Sequence, residues 1–229
     1  MLELARERLP AIDRVVLTGD LAHDEHPTTY VALRSLLGRD GDNALALPGN
    51  HDDRAALRAA FPSIPGDGAA SVRFVTQLEG WCLLGLDSQI TGENTGRIGA
   101  PQLAWLRDML AAHADRPTVV FVHHAPIATG HPYMDSMGLL DAEALAEVLA
   151  EAPQVRALCN GHIHRDLEGT LGAVPVYGAP STAFQFPACP DEGDFDLRPP
   201  GCRVLHLSPD GLRTQVLRLP LLEYVPHRS

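Results

Sequence analysis

Apolar residues along this chain come in short blocks separated by polar, glycine-bearing stretches, and the blocks follow two periods. The runs Asp13 to Thr18, Ala44 to Leu47, Trp81 to Asp87, Pro117 to Val122 and Val155 to Asn160 are nearly continuous in aliphatic residues, as strands buried on both faces are. Between them lie segments whose apolar residues recur three and four apart: Met1 to Arg8 with Leu2, Leu4 and Ala5, a stretch with Tyr30, Leu33, Leu36 and Leu37 on one face, Arg54 to Ala60, and Ala100 to Ala112 with Leu103, Leu106 and Leu110. Ala142 to Ala150 is a further helix, with Asp141 placed to cap it. Val72 to Thr76 pairs with Trp81 to Asp87 as a hairpin through Gly80, after a Pro/Gly-rich loop from Pro62 to Gly68. The last third is β-rich, with strands at Val174 to Tyr177, Cys202 to Leu207 and Thr214 to Leu217 and a long irregular loop from Ser181 to Pro200. The pattern predicts one α/β domain.

Each early strand runs into a loop of chemically useful residues: Gly19-Asp20, then Pro48-Gly49-Asn50-His51-Asp52-Asp53, then His123-His124, then Gly161-His162-Ile163-His164. Loops at the carboxyl ends of strands are where an α/β sheet builds its site. Eight of the eleven histidines lie in loops after these strands, so the histidines are concentrated where a site would be. Asp, Asn and His together suit manganese, iron or zinc better than calcium. In an extended Gly161 to His164, alternate residues point the same way, so both rings face the site and Ile163 faces the core. A bridging Asp20 could hold two ions about 3.5–4 Å apart, the spacing used in phosphoryl displacement. Asn50 offers an amide oxygen to a cation, and His51 is placed to hand a proton to a leaving oxygen. Each residue alone also has a plainer reading: Asp20, Asn50 and Asp53 as turn or cap residues, His123-His124 as a surface pair.

The chain has 229 residues, 45% of them hydrophobic, enough for a substantial single core. Its formal charge of -11 and pI near 5.3 argue against a protein that tracks nucleic-acid phosphates, and leave a small anionic substrate in need of bound cations. No apolar run is long enough to span a membrane and no secretory signal is visible, so no membrane partner is expected. Cys82, Cys159, Cys189 and Cys202 form no CxxC pair, which fits reduced thiols and a cytoplasmic location.

The ordered set GD, GNHDD, Val120-Phe121-Val122-His123 and GHxH resembles the calcineurin-like metallophosphoesterases across essentially the whole chain. Flanking segments narrow the likeness to the bacterial class III 3',5'-cyclic-AMP phosphodiesterases: Val16 to Leu21, Gly96 to Leu106, Met134 to Leu139 and Gly178 to Phe186. The resemblance implies a four-layer α/β/β/α sandwich with a dinuclear centre between its sheets. It implies that Asp20 bridges both metals, that Asn50, His123 and His162 complete the second site, and that His164 belongs to the first. A metal-bridging hydroxide would attack phosphorus in line while His51, the general acid, protonates the 3' oxygen and leaves 5'-AMP. His124 and Asp53 are candidate substrate contacts beside His51. The ions implied are manganese or iron, with zinc or cobalt as substitutes.

The family opens with a strand ending in Asp-x-His, which supplies two ligands to the first metal, and this chain begins on the helix that follows. The expectation is a domain that is N-terminally incomplete relative to the family. It would have one strand fewer and a first metal reduced to Asp20 and His164. Single-metal operation, or substitution by His23, Asp24, Glu25 and His26, would be the alternatives. A sheet edge left open could pair with a second copy in a homodimer. Three functions compete: a cyclic-AMP phosphodiesterase, a broader phosphodiesterase acting on 2',3'-cyclic nucleotides or glycerophosphodiesters, and a single-metal nucleotide-binding remnant without turnover.

Overall fold

The computed structural model describes residues 1–62, 64 and 70–223. The chain runs through α1 (Leu2–Arg8), β1 (Val16–Leu17), α2 (Pro27–Leu37), β2 (Leu45–Ala46), α3 (Arg54–Ala60), the hairpin β3 (Phe74–Leu78) and β4 (Trp81–Leu86), α4 (Ala100–Ala112), β5 (Thr118–Val122), the short α5 (Pro132–Asp135), α6 (Ala142–Ala150), β6 (Val155–Asn160), β7 (Glu168–Leu171), β8 (Val174–Gly178), β9 (Gly201–Ser208) and β10 (Gly211–Arg218). Of the loop expected at 62–68, only Pro62 and Ile64 fall among the described residues.

A six-stranded sheet ordered β3-β4-β5-β6-β8-β7 forms the centre, parallel from β4 to β8 and antiparallel at both edges. Strand alternation sorts its side chains into two cores. Cys82, Leu84, Leu86, Val120, Val122 and Leu158 meet Leu103, Leu106 and Leu110 of α4 and Leu145, Val148 and Leu149 of α6. Trp81, Leu83, Val119, Phe121, Ala157 and Cys159 face the other way, onto Val16, Leu45 and Leu47 and onto Leu205, Leu207 and Leu212. The β1–β2 pair is itself two-sided: Val15, Leu17, Ala44 and Ala46 pack outward on Leu2, Tyr30, Leu57 and Phe61. The four layers are thus helices, small sheets, large sheet and helices, as the resemblance implies.

The outer sheet layer is divided. The parallel pair β1–β2 and the antiparallel ribbon β9–β10 share a core but no ladder, so each of these four strands keeps one edge without a strand partner among the described residues. The run Asp13 to Thr18 yields only two ladder residues, since one short neighbour pairs with it.

Three local expectations need correcting. Leu36 is 81% exposed, whereas Tyr30 and Leu37 are buried with Leu33 partly so; the inward stripe of α2 passes one residue to the side of Leu36. Asp141 precedes α6 but makes no capping bond there. Its carboxylate instead accepts from Ile98 N–H at 3.0 Å and Gly99 N–H at 2.8 Å, fastening the entry of α4 to α6. Glu168–Leu171 is a strand that no apolar run announces, because it lies at the sheet edge with alternate residues in water.

Candidate metal centre

The parallel strands β1, β2, β5 and β6 end on the residues singled out above, and the two facing sheets bring those ends together. His123 follows β5 and is buried. Its Nδ1 donates to the carbonyl of Thr18 at 2.7 Å, which fixes the tautomer and turns the lone pair of Nε2 inward. Around that nitrogen stand Asn50 Oδ1 at 3.2 Å, His162 Nδ1 at 3.1 Å and Asp20 Oδ2 at 3.4 Å. Ligands bonded to one ion at about 2.0–2.2 Å lie about 3.0–3.5 Å from one another, so this spacing is compatible with a coordination shell as well as with direct hydrogen bonding.

Electrostatics favour a cation here. Burial works to raise the Asp20 carboxyl, but the His123 ring beside it and the backbone N–H of His51 pull it well below the usual carboxylate range. Burial likewise opposes a charged His123, and the Asp20 carboxylate overcomes it, so its pKa is raised. In effect the carboxylate draws positive charge onto the cluster. Burial, with repulsion from His123, pushes His162 down to about 3, and burial pushes His164 down to about 4, leaving both as neutral imidazoles with a lone pair to give. Among the described residues, His162 Nε2 and His164 Nδ1 are buried with no hydrogen-bond partner, as expected where a non-protein group belongs. The donor set fits a divalent metal.

Four strand-end loops carry the candidate ligands, and close packing holds them. A Cβ on Gly49 would overlap Asp20 Oδ1 and lie 2.5 Å from Asp20 N, so no larger residue lets the Asp20 and Asn50 loops approach this closely. Gly19 adopts φ 97°, and a Cβ there would overlap His123 Nδ1. Asp20, His162 and His164 themselves have φ of 55°, 64° and 47°, left-handed conformations costing about 1–3 kcal/mol each. The extended reading of Gly161 to His164 is therefore replaced by a tight turn, closed by Ile163 N–H on Gly161 carbonyl at 2.7 Å, with Ile163 still in the core.

The residue that joins the Asp20 and Asn50 loops is Asp52, which no sequence pattern marks. Its Oδ1 accepts from the N–H of Leu21 at 2.9 Å and of Ala22 at 3.2 Å and from the Tyr30 hydroxyl at 3.0 Å, and its Oδ2 accepts from Gly49 N–H at 2.8 Å. The Tyr30 oxygen in turn accepts from Asp53 N–H at 2.8 Å. Asp53 has the plainer of its two readings: Oδ1 accepts from Ala56 N–H at 2.7 Å and caps α3.

His124 lies within 4.8 Å of His123 and His162 and by proximity alone would make a three-histidine site. Its hydrogen bonds argue otherwise, because both ring nitrogens are engaged: Nδ1 with the Ser88 hydroxyl at 2.7 Å, Nε2 donating to the Asn94 carbonyl at 3.2 Å. Burial, then His123 and His162, push it down to about 2, a neutral ring. Asn94 Oδ1 accepts from Asn50 Nδ2 at 3.4 Å, so His124 acts through Asn94 on the amide whose other end faces His123. Ser88 and Asn94 carried no sequence signal beyond lying in a glycine-containing loop.

His164 stands apart from the four. Its ring is stacked on Phe186 and edge-on to Phe184, with centroids 4.8 Å away in each case. Of the possible substitute ligands, Asp24 accepts from His26 N–H and the Thr29 hydroxyl, and His26 caps α2. None of His23, Asp24, Glu25 and His26 joins a metal-type cluster among the described residues. A cavity of about 610 Å³ bounded by Arg54, Ser71, Arg73 and Trp105 contains none of the candidate ligands.

Residues 1–166, which include every candidate ligand and His51, match the family model for calcineurin-like phosphoesterases. The chain belongs to the calcineurin-like phosphoesterase family. Membership makes it an enzyme of the phosphoesterase type and implies divalent metal ions. It is similar to the 3',5'-cyclic adenosine monophosphate phosphodiesterase CpdA of Escherichia coli K12, 34% identical over 99% of this chain and 82% of that protein. CpdA of Pseudomonas aeruginosa is 33% identical over 94% of the chain and 78% of its own length. A probable cyclic nucleotide phosphodiesterase of Synechococcus is 34% identical over 90% and 75%. Among solved structures, a dimetal phosphatase from Danio rerio superposes with a TM-score of 0.60 at 15% identity, covering 78% of this chain and 74% of that one. A Thermus thermophilus protein superposes with a TM-score of 0.58 at 17% identity, covering 93% and 89%. These two structures share the layered architecture. Among the described residues, no helix is long and apolar enough to cross a membrane.

Proposed function

We propose that this chain is a metal-dependent phosphodiesterase that hydrolyses 3',5'-cyclic AMP to 5'-AMP. The observation that carries the reading is the convergence of Asp20, Asn50 and His162 on the inward nitrogen of His123, with His51 next to Asn50. The names of the curated relatives support the cyclic nucleotide as substrate. Asp20, Asn50, His123 and His162 would hold the divalent ions that the family implies, and those ions would supply Lewis-acid stabilisation of phosphate charge and activation of water. His164 is the protein's remaining candidate donor, on the side where Phe184 and Phe186 wall the site.

The chain's own residues account for the rest. Asp20 divides its carboxylate: Oδ1 accepts from His51 N–H at 3.0 Å while Oδ2 faces His123. One carboxylate thus sets both the ligand geometry and the backbone that carries the proton donor. His51 is partly exposed and has no hydrogen-bonded side-chain partner among the described residues, so its ring is open to substrate. It gives its proton to the departing 3' oxygen, which otherwise leaves as a poor, basic alkoxide. His124, neutral and doubly bonded, keeps the loop from Ser88 to Gly96 over the site.

The test is competition. With manganese present, 3',5'-cyclic AMP is offered with 2',3'-cyclic AMP and glycerophosphocholine, and the products are resolved by chromatography. Preferential 5'-AMP formation supports the reading, and preference for either competitor favours the broader phosphodiesterase. Saturable cyclic-AMP binding without any product is the signature of the binding remnant.

A further inference from the structure

We propose that His23 is a positioning residue for the proton donor His51, an inference that rests on the phosphodiesterase reading above. The two imidazoles are in direct contact, with centroids 4.6 Å apart and planes tilted by 50°. Among the described residues this is the one ring contact His51 makes, and no side-chain hydrogen bond orients it. That is unusual for a working imidazole, which is ordinarily aimed by a carboxylate or carbonyl on its second nitrogen, as Thr18 aims His123 here. Ring packing by His23 takes the place of that hydrogen bond.

His23 is exposed, yet its backbone is tightly held. It occupies a corner of the turn Ala22 to Glu25, closed by Glu25 N–H on the Ala22 carbonyl at 3.2 Å, with Glu25 at φ 53°. On one side Ala22 N–H is anchored to buried Asp52. On the other, Asp24 accepts from His26 N–H at 3.1 Å and from the Thr29 hydroxyl at 2.9 Å, tying the turn to the start of α2. The same Asp52 holds Gly49 N–H, so the turn bearing His23 and the loop bearing His51 share one anchor. An exposed ring on a fixed turn, laid against a partly exposed one, restricts the second ring's rotamers. The proton that moves belongs to His51: it passes to the leaving oxygen as the phosphorus–oxygen bond breaks, and His23 exchanges none.

Leaving-group dependence tests this, because a general acid matters for an alkoxide and little for a phenolate that departs unaided. Turnover of 3',5'-cyclic AMP and of bis(p-nitrophenyl) phosphate is measured with manganese for wild type, His51→Ala, His23→Ala, His23→Phe and the double alanine variant. His51→Ala is expected to lower kcat on cyclic AMP by about 10²–10⁴ and to change the aryl diester only a few-fold. His23→Ala is expected to lower kcat on cyclic AMP roughly tenfold to a hundredfold, with KM unchanged and the aryl diester little affected. His23→Phe, which keeps a ring, restores most of it, and the double variant is no slower than His51→Ala. Equal losses on both substrates for His23→Ala, no rescue by Phe, or additive losses in the double variant would overturn the proposal alone. If His51→Ala itself shows no leaving-group dependence, or neither substrate turns over, the reading beneath it fails as well.

Discussion

Replacing Asp52 by alanine removes the acceptor that ties the Asp20 loop to the Asn50 loop. Four donors lose their partner: the N–H groups of Leu21, Ala22 and Gly49 and the hydroxyl of Tyr30. Asp52 is 4% exposed and Tyr30 fully buried, so water reaches these groups poorly. An unpaired buried donor costs about 1–3 kcal/mol, and partial relaxation at the half-buried Leu21 spares some of it, so Asp52→Ala should lose about 3–5 kcal/mol. Asparagine should be milder. Burial, together with the charge of Asp20, raises the Asp52 pKa against the pull of Gly49 N–H and the Tyr30 hydroxyl, so the ionised form carries a desolvation cost that an amide avoids. Asn also keeps an oxygen for Leu21, Ala22 and Tyr30 and forfeits mainly the Gly49 bond, a loss of about 2 kcal/mol. Urea unfolding of the metal-free proteins, with m values checked for constancy, reads both numbers, and manganese titration reads the metal site. Asp52→Ala should bind manganese far more weakly even where it is fully folded. A loss below about 1 kcal/mol in Asp52→Ala, or a worse outcome for Asn than for Ala, would refute the reasoning.

Saturating manganese at a hundredfold its Kd should add about 2.7 kcal/mol and raise Tm by about 5–10 °C, with Asn50→Ala showing less than half of that shift; equal shifts in calorimetry would remove Asn50 from the site. Gly49→Ala should abolish manganese binding, because its Cβ would overlap Asp20 Oδ1; calorimetric titration checks this, and wild-type affinity would contradict the packing argument. Arg54→Met should cost about 2–4 kcal/mol, since the fully buried Asp87 carboxylate loses the guanidinium now at 2.6 and 2.9 Å and keeps the N–H groups of Val72 and Gln89, and urea unfolding checks it.

The central strands were legible because Trp81 to Leu86, Thr118 to Val122 and Val155 to Asn160 are buried on both faces and so contain few polar interruptions. Edge elements left weaker marks. Glu168–Leu171 alternates toward water and resembles a loop, and Leu36 has the composition but not the phase of a buried helical residue. Within the site, His123, His162, Asp20 and Asn50 announced themselves by their place after strands. The shape of Gly161 to His164 did not, because left-handed residues other than glycine have no sequence mark. Asp52 was hidden for a different reason: two of its donors lie 30 and 31 residues away, and only the folded juxtaposition of β1 and β2 turns an acid beside a turn into the anchor of the centre. His23 belongs to the same class, an ordinary loop residue until its ring meets His51.

The most direct test is the rate of 5'-AMP formation from 3',5'-cyclic AMP by this chain as a function of manganese concentration, for wild type and for Asn50→Ala. Turnover should rise and saturate with manganese in wild type, and the Asn50→Ala curve should be displaced to much higher concentration with a lower plateau. Turnover indifferent to manganese, or an identical curve for the two proteins, would rule out a metal-dependent centre built on Asn50.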